Sequence, residues 1–216
     1  MASTLPQVTR DWYAWHGDYD EADSALSRRL AEVRLRVREA LDAAPPGPLR
    51  AISLCAGQGR DLIPELAAHP RRDDVTARLV ERDPRNAAVA RSAARAAGLS
   101  AVEVVTGDAA RTDAYADLVP ADLVLVCGVF GNISESDVRA TVRHCAALCA
   151  TGGTVLWTRH RREPDLVPAI RGWFMEEGFA SGTVSSPADG VGVGAHRFLG
   201  VPRPLPSGVT MFAFVD

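Results

Sequence analysis

Residues 50–61 read RAISLCAGQGRD. Ala51, Ile52 and Leu54 make an apolar run long enough for a buried strand. It stops at a small-residue turn, Cys55-Ala56-Gly57-Gln58-Gly59, and a helical pattern begins at Asp61. A strand that ends in glycines at a helix start brings backbone N–H groups and a positive dipole end close to a ligand, with no side chain in the way. Many α/β proteins need glycine there only to turn. The added signal is Glu81, at the end of the next apolar run in RLVERDP. An acid about 20 residues beyond such glycines, inside a βαβ unit, is placed to accept hydrogen bonds from a ribose diol.

This stretch resembles the first motif of the class I S-adenosylmethionine-dependent methyltransferases, whose pattern is acid-x-G-x-G-x-G after a strand. Gly57 and Gly59 match, Ser53 stands where the acid usually is, and Cys55 replaces the first glycine. Glu81 matches the family's ribose-binding acid. Gly107-Asp108-Ala109, after the apolar run Val102–Val105, resembles the loop whose acid meets the adenine amino group. The resemblance covers roughly residues 50–180. It implies an α/β, Rossmann-like doubly wound sheet of seven strands, mostly parallel with an antiparallel last strand, helices on both faces and an N-terminal helical and aromatic cap. The implied cofactor is S-adenosylmethionine. The implied contacts are Ser53, Cys55, Ala56, Gly57, Gln58, Gly59, Asp61, Glu81, Arg82, Asp108, Ala109 and Cys127, with Asp61 available to compensate for the charge that Ser53 lacks.

At 216 residues, with 47% hydrophobic and 24% charged positions, the chain fits one soluble domain with a sizeable core. Residues 1–45 are expected to form a cap segment and helix belonging to the same domain as residues 46–216. A net charge of −3 exerts no general pull on nucleic acid or anionic membrane, and the arginine clusters, including Arg159 to Arg162, read as solvated faces. All 24 basic residues are arginine. With no lysine amine, Schiff-base chemistry, pyridoxal phosphate anchoring and a P-loop lysine are excluded. Cys55, Cys127, Cys145 and Cys149 form no C-x-x-C pair, and no apolar leader or bilayer-length run is visible, so reduced thiols and a cytoplasmic location are expected.

Along the chain, residues 1–11 look loose. Trp12, Tyr13, Trp15 and Tyr19 then crowd into nine residues together with His16. Such a segment either packs its rings across the domain or caps the methyl end of the cofactor. Helical periodicity runs from Ala22 to Ala43. Asp61-Leu-Ile-Pro64 and Asp165-Leu-Val-Pro168 each read as an aspartate N-cap followed by proline in the first turn. Further strands are expected at Thr76–Glu81, Ala101–Thr106, Ala121–Cys127, Thr154–Thr158 and near Phe179–Ser185. Helices are expected at Pro84–Ala97, from the Ser134 capping box to Ala150, and from Asp165. Residues 187–208, rich in glycine and proline, read as loop with at most a short strand, and Val209–Val215 as the strand that closes the sheet.

In-line methyl transfer needs mainly orientation, and so leaves a weak catalytic signature. A hydroxyl or amine acceptor can require a base; the candidates are His16, His160 and His196, with Tyr13 and Tyr19 behind them. The catalytic set drawn from these is His16, Tyr19 and His160. Beyond the fourth strand the chain reads Cys127-Gly128-Val129-Phe130. It lacks the Asn/Asp-Pro-Pro-Tyr/Phe tetrad of nucleic-acid amino-methylating enzymes, which with the negative charge favours a small-molecule acceptor, and Asn132 lies where some relatives position substrate. No metal-ligand spacing occurs, so no metal is expected; nor is a nucleic-acid or membrane partner, and the assembly is expected to be a monomer or homodimer. Two other readings compete: a protein that binds S-adenosylmethionine or S-adenosylhomocysteine without transfer, and a nicotinamide dehydrogenase, against which the glycine spacing speaks.

Overall fold

The computed structural model describes residues 11–20, 24–186 and 190–215; the readings at residues 1–10 and Ala22 lie outside them. Its chain order is α1 (Trp12–Trp15), α2 (Ala25–Ala43), β1 (Leu49–Leu54), α3 (Ile63–Ala68), β2 (Val75–Glu81), α4 (Pro84–Ala96), β3 (Val102–Thr106), β4 (Ala121–Val126), α5 (Glu135–Leu148), β5 (Cys149–His160), α6 (Val167–Glu176), β6 (Thr183–Val184) and β7 (Val191–Arg197), with short 3-10 turns between some of them. The seven strands stand in the order β3-β2-β1-β4-β5-β7-β6. β1 to β5 are parallel, while β7 runs antiparallel to both β5 and β6.

Strand alternation divides the core between the two faces of this sheet. Ile52 and Leu54 of β1 and Val124 and Val126 of β4 face α5 and α6, where Val138, Val142, Ile170 and Phe174 meet them. Ala51 of β1 and Leu123 and Leu125 of β4 face the other way, onto Val33, Val37 and Leu41 of α2 and Ala87, Ala90 and Ala94 of α4. The central strands are apolar on both faces because both are covered by helices. Helix α2 is thus part of the packing of the sheet.

Helix starts follow the expected chemistry in part. Ser24 caps α2 by accepting from Ser27 N–H at 3.0 Å, and Ser134 caps α5 by accepting from Asp137 N–H at 3.1 Å. Asp165 accepts from Val167 N–H at 2.9 Å. Asp61 does not behave this way: α3 begins at Ile63, and the residue ahead of it, Leu62, makes no side-chain cap. Helix α5 stops at Leu148 instead of Ala150, because Cys149 already pairs with β4 and opens a long β5 that absorbs Gly152 and Gly153.

The largest correction concerns the last third. The strand that completes the sheet is β7, inside the segment expected to be loop; Val209–Val215 is not a sheet strand. Gly192 and Gly194 disguise β7 in sequence, and both are demanded by neighbours. A Cβ on Gly194 would lie 2.2 Å from the Trp157 ring, and one on Gly192 2.7 Å from Val167. Near Phe179–Ser185 only Thr183–Val184 forms a strand, at the sheet edge, with Phe179 bridging Phe198. Residues 209–215 instead cross the carboxyl ends of the strands, bridging Arg111 through Thr210 and Ile133 through Phe214. No helix among the described residues is long and apolar enough to cross a membrane.

Candidate active site

The carboxyl ends of the parallel strands open into a cleft of about 1660 Å3, the location at which open α/β sheets bind ligands. Its floor is the turn after β1. Gly57 and Gly59 adopt φ of +55° and +68°, and Cys55, where the motif has its first glycine, adopts φ of +52°. Cys55 therefore keeps the left-handed backbone of the glycine it replaces, at a steric cost of about 1–2 kcal/mol for a residue with a Cβ.

Glu81 holds this floor in shape. Its Oε2 accepts from Gly57 N–H at 2.8 Å and its Oε1 from Asp83 N–H at 2.8 Å. Ladder bonds fix the same turns, Ala56 N–H donating to Val80 and Gly107 N–H to Glu81 carbonyls. A carboxylate offers about four lone-pair positions, so two remain for a ligand. Gln58 and Asn86 form a second tie, Nε2 to Oδ1 at 3.2 Å, and Arg60 Nε donates to Gln58 Oε1 at 2.9 Å.

Cys55, Ala56, Gly57, Gln58, Asp61 and Glu81 all line the cleft, as do Arg82, Asp108, Ala109 and Cys127 on its neighbouring edges. Ser53 and Gly59 do not. Ser53 is 1% exposed and shares the sheet face of Ala51 under the helices, because strand residues alternate. Gly59 turns toward α3, where a Cβ would meet Ile63 at 2.5 Å. Both positions support the floor from behind and do not line the cleft. Asp108 accepts from Ala110 N–H at 3.0 Å, so it forms its own turn as well as lining the edge.

Asp61, released from capping, faces the cleft with Oδ1 buried and unpartnered. Burial pushes its carboxyl up to about 6, against the pull of nearby Arg29 and Arg34. Burial also raises the Cys55 thiol, helped by Glu81 and Asp108, and the Cys127 thiol, helped by Asp61. Neither cysteine is a thiolate nucleophile in this setting.

The N-terminal aromatic segment roofs the cleft. Arg85 ties it to the start of α4, with Nη2 2.8 Å from Asp11 Oδ1 and the guanidinium 4.9 Å from the Tyr13 ring centroid. On the opposite side Trp12 meets Phe214 at 6.4 Å. Between these ties, His16 lies against Gly57, where a Cβ would come within 2.3 Å of its Nε2. His16 Nδ1 is 2.7 Å from the Trp12 carbonyl, so Nδ1 carries the proton and Nε2 keeps its lone pair. Burial lowers its pKa, leaving a neutral imidazole. Tyr19 stacks edge-on against Trp15 at 5.5 Å and takes a hydrogen bond from Arg29. Burial raises its pKa, so the phenol stays protonated, which speaks against Tyr19 as a base while it lines the cleft.

The far wall comes from β4 and β5. Gly128 N–H donates to Thr158 Oγ1 at 2.8 Å, and Asn132 Nδ2 donates to Gly128 carbonyl at 2.7 Å. His160, at the end of β5, lines the cleft with Nδ1 buried and unpartnered. Burial, then Arg159 and Arg162, lower its pKa. His196 is absent from this rim: it is fully buried, stacked on Phe174 at 4.7 Å with Nδ1 3.0 Å from the Ala180 carbonyl. Thr158, Arg159, Phe212 and Phe214 also line the cleft. The sequence places the end of the fifth strand, Trp157 to His160, on this rim, so Thr158 and Arg159 are foreseen there without a role, while Phe212 and Phe214 carry no signal. Among the described residues no group of three His, Cys, Asp or Glu side chains could hold a metal ion.

At the level of sequence, no family model and no curated protein matches the chain. Solved structures do. An O-methyltransferase family protein from Burkholderia thailandensis is 19% identical with a TM-score of 0.57, over 88% of this chain and 61% of its own. An O-methyltransferase family 2 protein from Planctomyces limnophilus, in complex with apigenin, is 18% identical with a TM-score of 0.60, over 82% of this chain and 62% of its own. The fold is that of the S-adenosylmethionine-dependent methyltransferases. An RNA methyltransferase from Salinibacter ruber in complex with S-adenosyl-L-homocysteine is 19% identical with a TM-score of 0.51, over 82% of this chain and 97% of its own. The methyltransferase fold is thus shared across proteins of different description, and this chain spans only about three fifths of the first two.

Proposed function

We propose that the protein transfers a methyl group from S-adenosylmethionine to an oxygen or nitrogen of a small-molecule acceptor. The observation that carries this reading is Glu81, buried at the floor of the cleft and held by Gly57 and Asp83 so that its remaining lone pairs face outward. The residues suit the cofactor's parts. Glu81 would hold the ribose diol, and Asp61, with an unpartnered buried oxygen, would hold the ammonium of the amino-acid tail in place of the motif's missing acid. Asp108, Ala109 and Arg82 would flank the adenine, and the rings of Trp15 and Tyr19 would face a cation favourably.

The bound cofactor supplies a sulfonium methyl already activated for displacement. The chain orients and deprotonates. His160, neutral and on the β5 wall, takes the acceptor's proton. His16 Nε2, on the floor beside Gly57, is the second neutral imidazole open to that role. The roof of Trp12, Trp15 and Phe214 excludes water. Cys55 preserves the left-handed turn, which supports a working floor over a degenerate one. The antiparallel β7 between β5 and β6 departs from the dinucleotide-binding strand order, which weighs against a nicotinamide enzyme.

Calorimetric titration with S-adenosylmethionine and S-adenosylhomocysteine tests the reading. Binding in the micromolar range, about −8 kcal/mol, is expected. A wild-type protein that binds neither, or that binds a nicotinamide dinucleotide instead, would sink it.

A further inference from the structure

Arg159 is a second buried charge in the cleft, and methyl transfer as described leaves it without a task. It is 9% exposed and lines the cleft. Its Nη1 donates to the Phe130 carbonyl and its Nε is buried without a partner. Among the described residues no carboxylate pairs with it. Asp165 and Glu135 act on it only through space, and Asp165 is already held by Arg161 at 3.1 Å. Arg162 lines the same cleft, is exposed, and likewise has no carboxylate partner among the described residues. His160 stands between the two arginines, and both disfavour its protonation.

A nearly buried guanidinium without a counterion is costly. The cleft that Arg159 lines is a place from which an anion can supply the missing charge. Aromatic surface lines the same cleft: Phe214, bridged to Ile133, packs against Trp12 and, at 5.8 Å, against Phe212. One cleft therefore holds both flat aromatic surface and two guanidinium groups, Arg159 and Arg162, a combination suited to an aromatic ring that carries a carboxylate.

We infer that the acceptor is a planar aromatic carboxylic acid, its carboxylate held by Arg159 and Arg162 and its ring against Trp12 and Phe214. This inference rests on the methyl-transfer reading for the word acceptor, and on the wall alone for the anion site.

The test compares 3,4-dihydroxybenzoate with 3,4-dihydroxybenzamide by calorimetry, each titrated into the full chain with and without S-adenosylhomocysteine. The wild type is expected to bind the acid about tenfold or more tightly than the amide. Arg162→Gln should cut that preference to about threefold or less, and Arg159→Met should abolish it. Arg159→Met also removes the tether to Phe130, so its circular dichroism is checked, and Arg162→Gln, at an exposed position, decides the matter if the other variant fails to fold. Equal affinity for acid and amide overturns the inference. So does a preference unchanged in Arg162→Gln, no binding of either compound to a protein that binds S-adenosylhomocysteine, or tighter binding of a single-stranded RNA oligonucleotide than of the acid. A protein that prefers the acid yet does not bind S-adenosylhomocysteine would sink the methyl-transfer reading and leave the anion site standing.

Discussion

Glu81 and Arg159 sit on the same rim, at 8% and 9% exposure, and the fold treats them in opposite ways. Glu81 is fixed from within: two backbone N–H groups offset part of its charge and set its direction, leaving two lone-pair positions for a ligand, and Gly57 gains its own shape from the same bond. Arg159 is tied once, to a carbonyl, and keeps an unpartnered nitrogen, with no carboxylate paired to it among the described residues. The β1–β2 half of the cleft is moulded by its own backbone hydrogen bonds, Asp61 Oδ1 apart, whereas the β4–β5 half is the open one, with Arg159 Nε and His160 Nδ1 buried and unpartnered.

The largest effect that can break this comparison is at the moulded half. Glu81→Gln should weaken S-adenosylhomocysteine binding by about 1.5–3 kcal/mol, the range for hydrogen bonds to a charged group, read by calorimetry. Arg159→Met should leave that affinity in place, and an equal loss in both variants would erase the distinction between the halves. Next, Gly57→Ala should destabilise the fold by about 2 kcal/mol, since its Cβ would enter His16 at a left-handed φ. In denaturant melts part of this loss should return in the Gly57→Ala/His16→Ala double variant, because only the clash with His16, and not the strained φ, is relieved.

A smaller effect follows from Asp61. Its carboxyl is raised from 3.8 to about 6 in the folded protein, so between those values the native state binds more protons than the unfolded chain. Stability therefore falls as pH rises from about 4 to about 6 and then levels. Asp61→Asn should be the more stable protein at pH 7, by on the order of 1–2 kcal/mol, with the gain gone below about pH 4. Thermal melts across that range check the sign, and a gain that grows on acidification would refute it. Smallest is Cys55→Gly, where relief of the left-handed strain is offset by the greater freedom of glycine in the unfolded chain; a change within about 0.5 kcal/mol is expected.

The moulded half was legible in the sequence because it is local. The glycine turn, the strand ahead of it and Glu81 all lie within one βαβ unit, where chain geometry leaves few alternatives. The same locality made β2, β3 and β4 readable from their apolar runs. The open half was not readable, because its residues are brought together by distant segments. Arg159 looked like one of several solvated arginines until β7 and Phe130 covered it. Phe214 looked like part of a strand until the chain carried it over the carboxyl ends instead. His196 looked as available as His160 until Trp157 and Phe174 closed on it. Asp61 looked like a cap because proline followed it, and the helix simply started two residues later.

What the sequence by itself determined is the βα alternation, the turn whose backbone must run left-handed and the acid that fastens it, because these depend on sterics and hydrogen bonds between near neighbours. Tertiary structure alone decided which strand closes the sheet, which histidines face the cleft and which arginine is buried on its wall. Burial and charge compensation are properties of the space a side chain ends in, and that space is assembled from residues far apart in the chain.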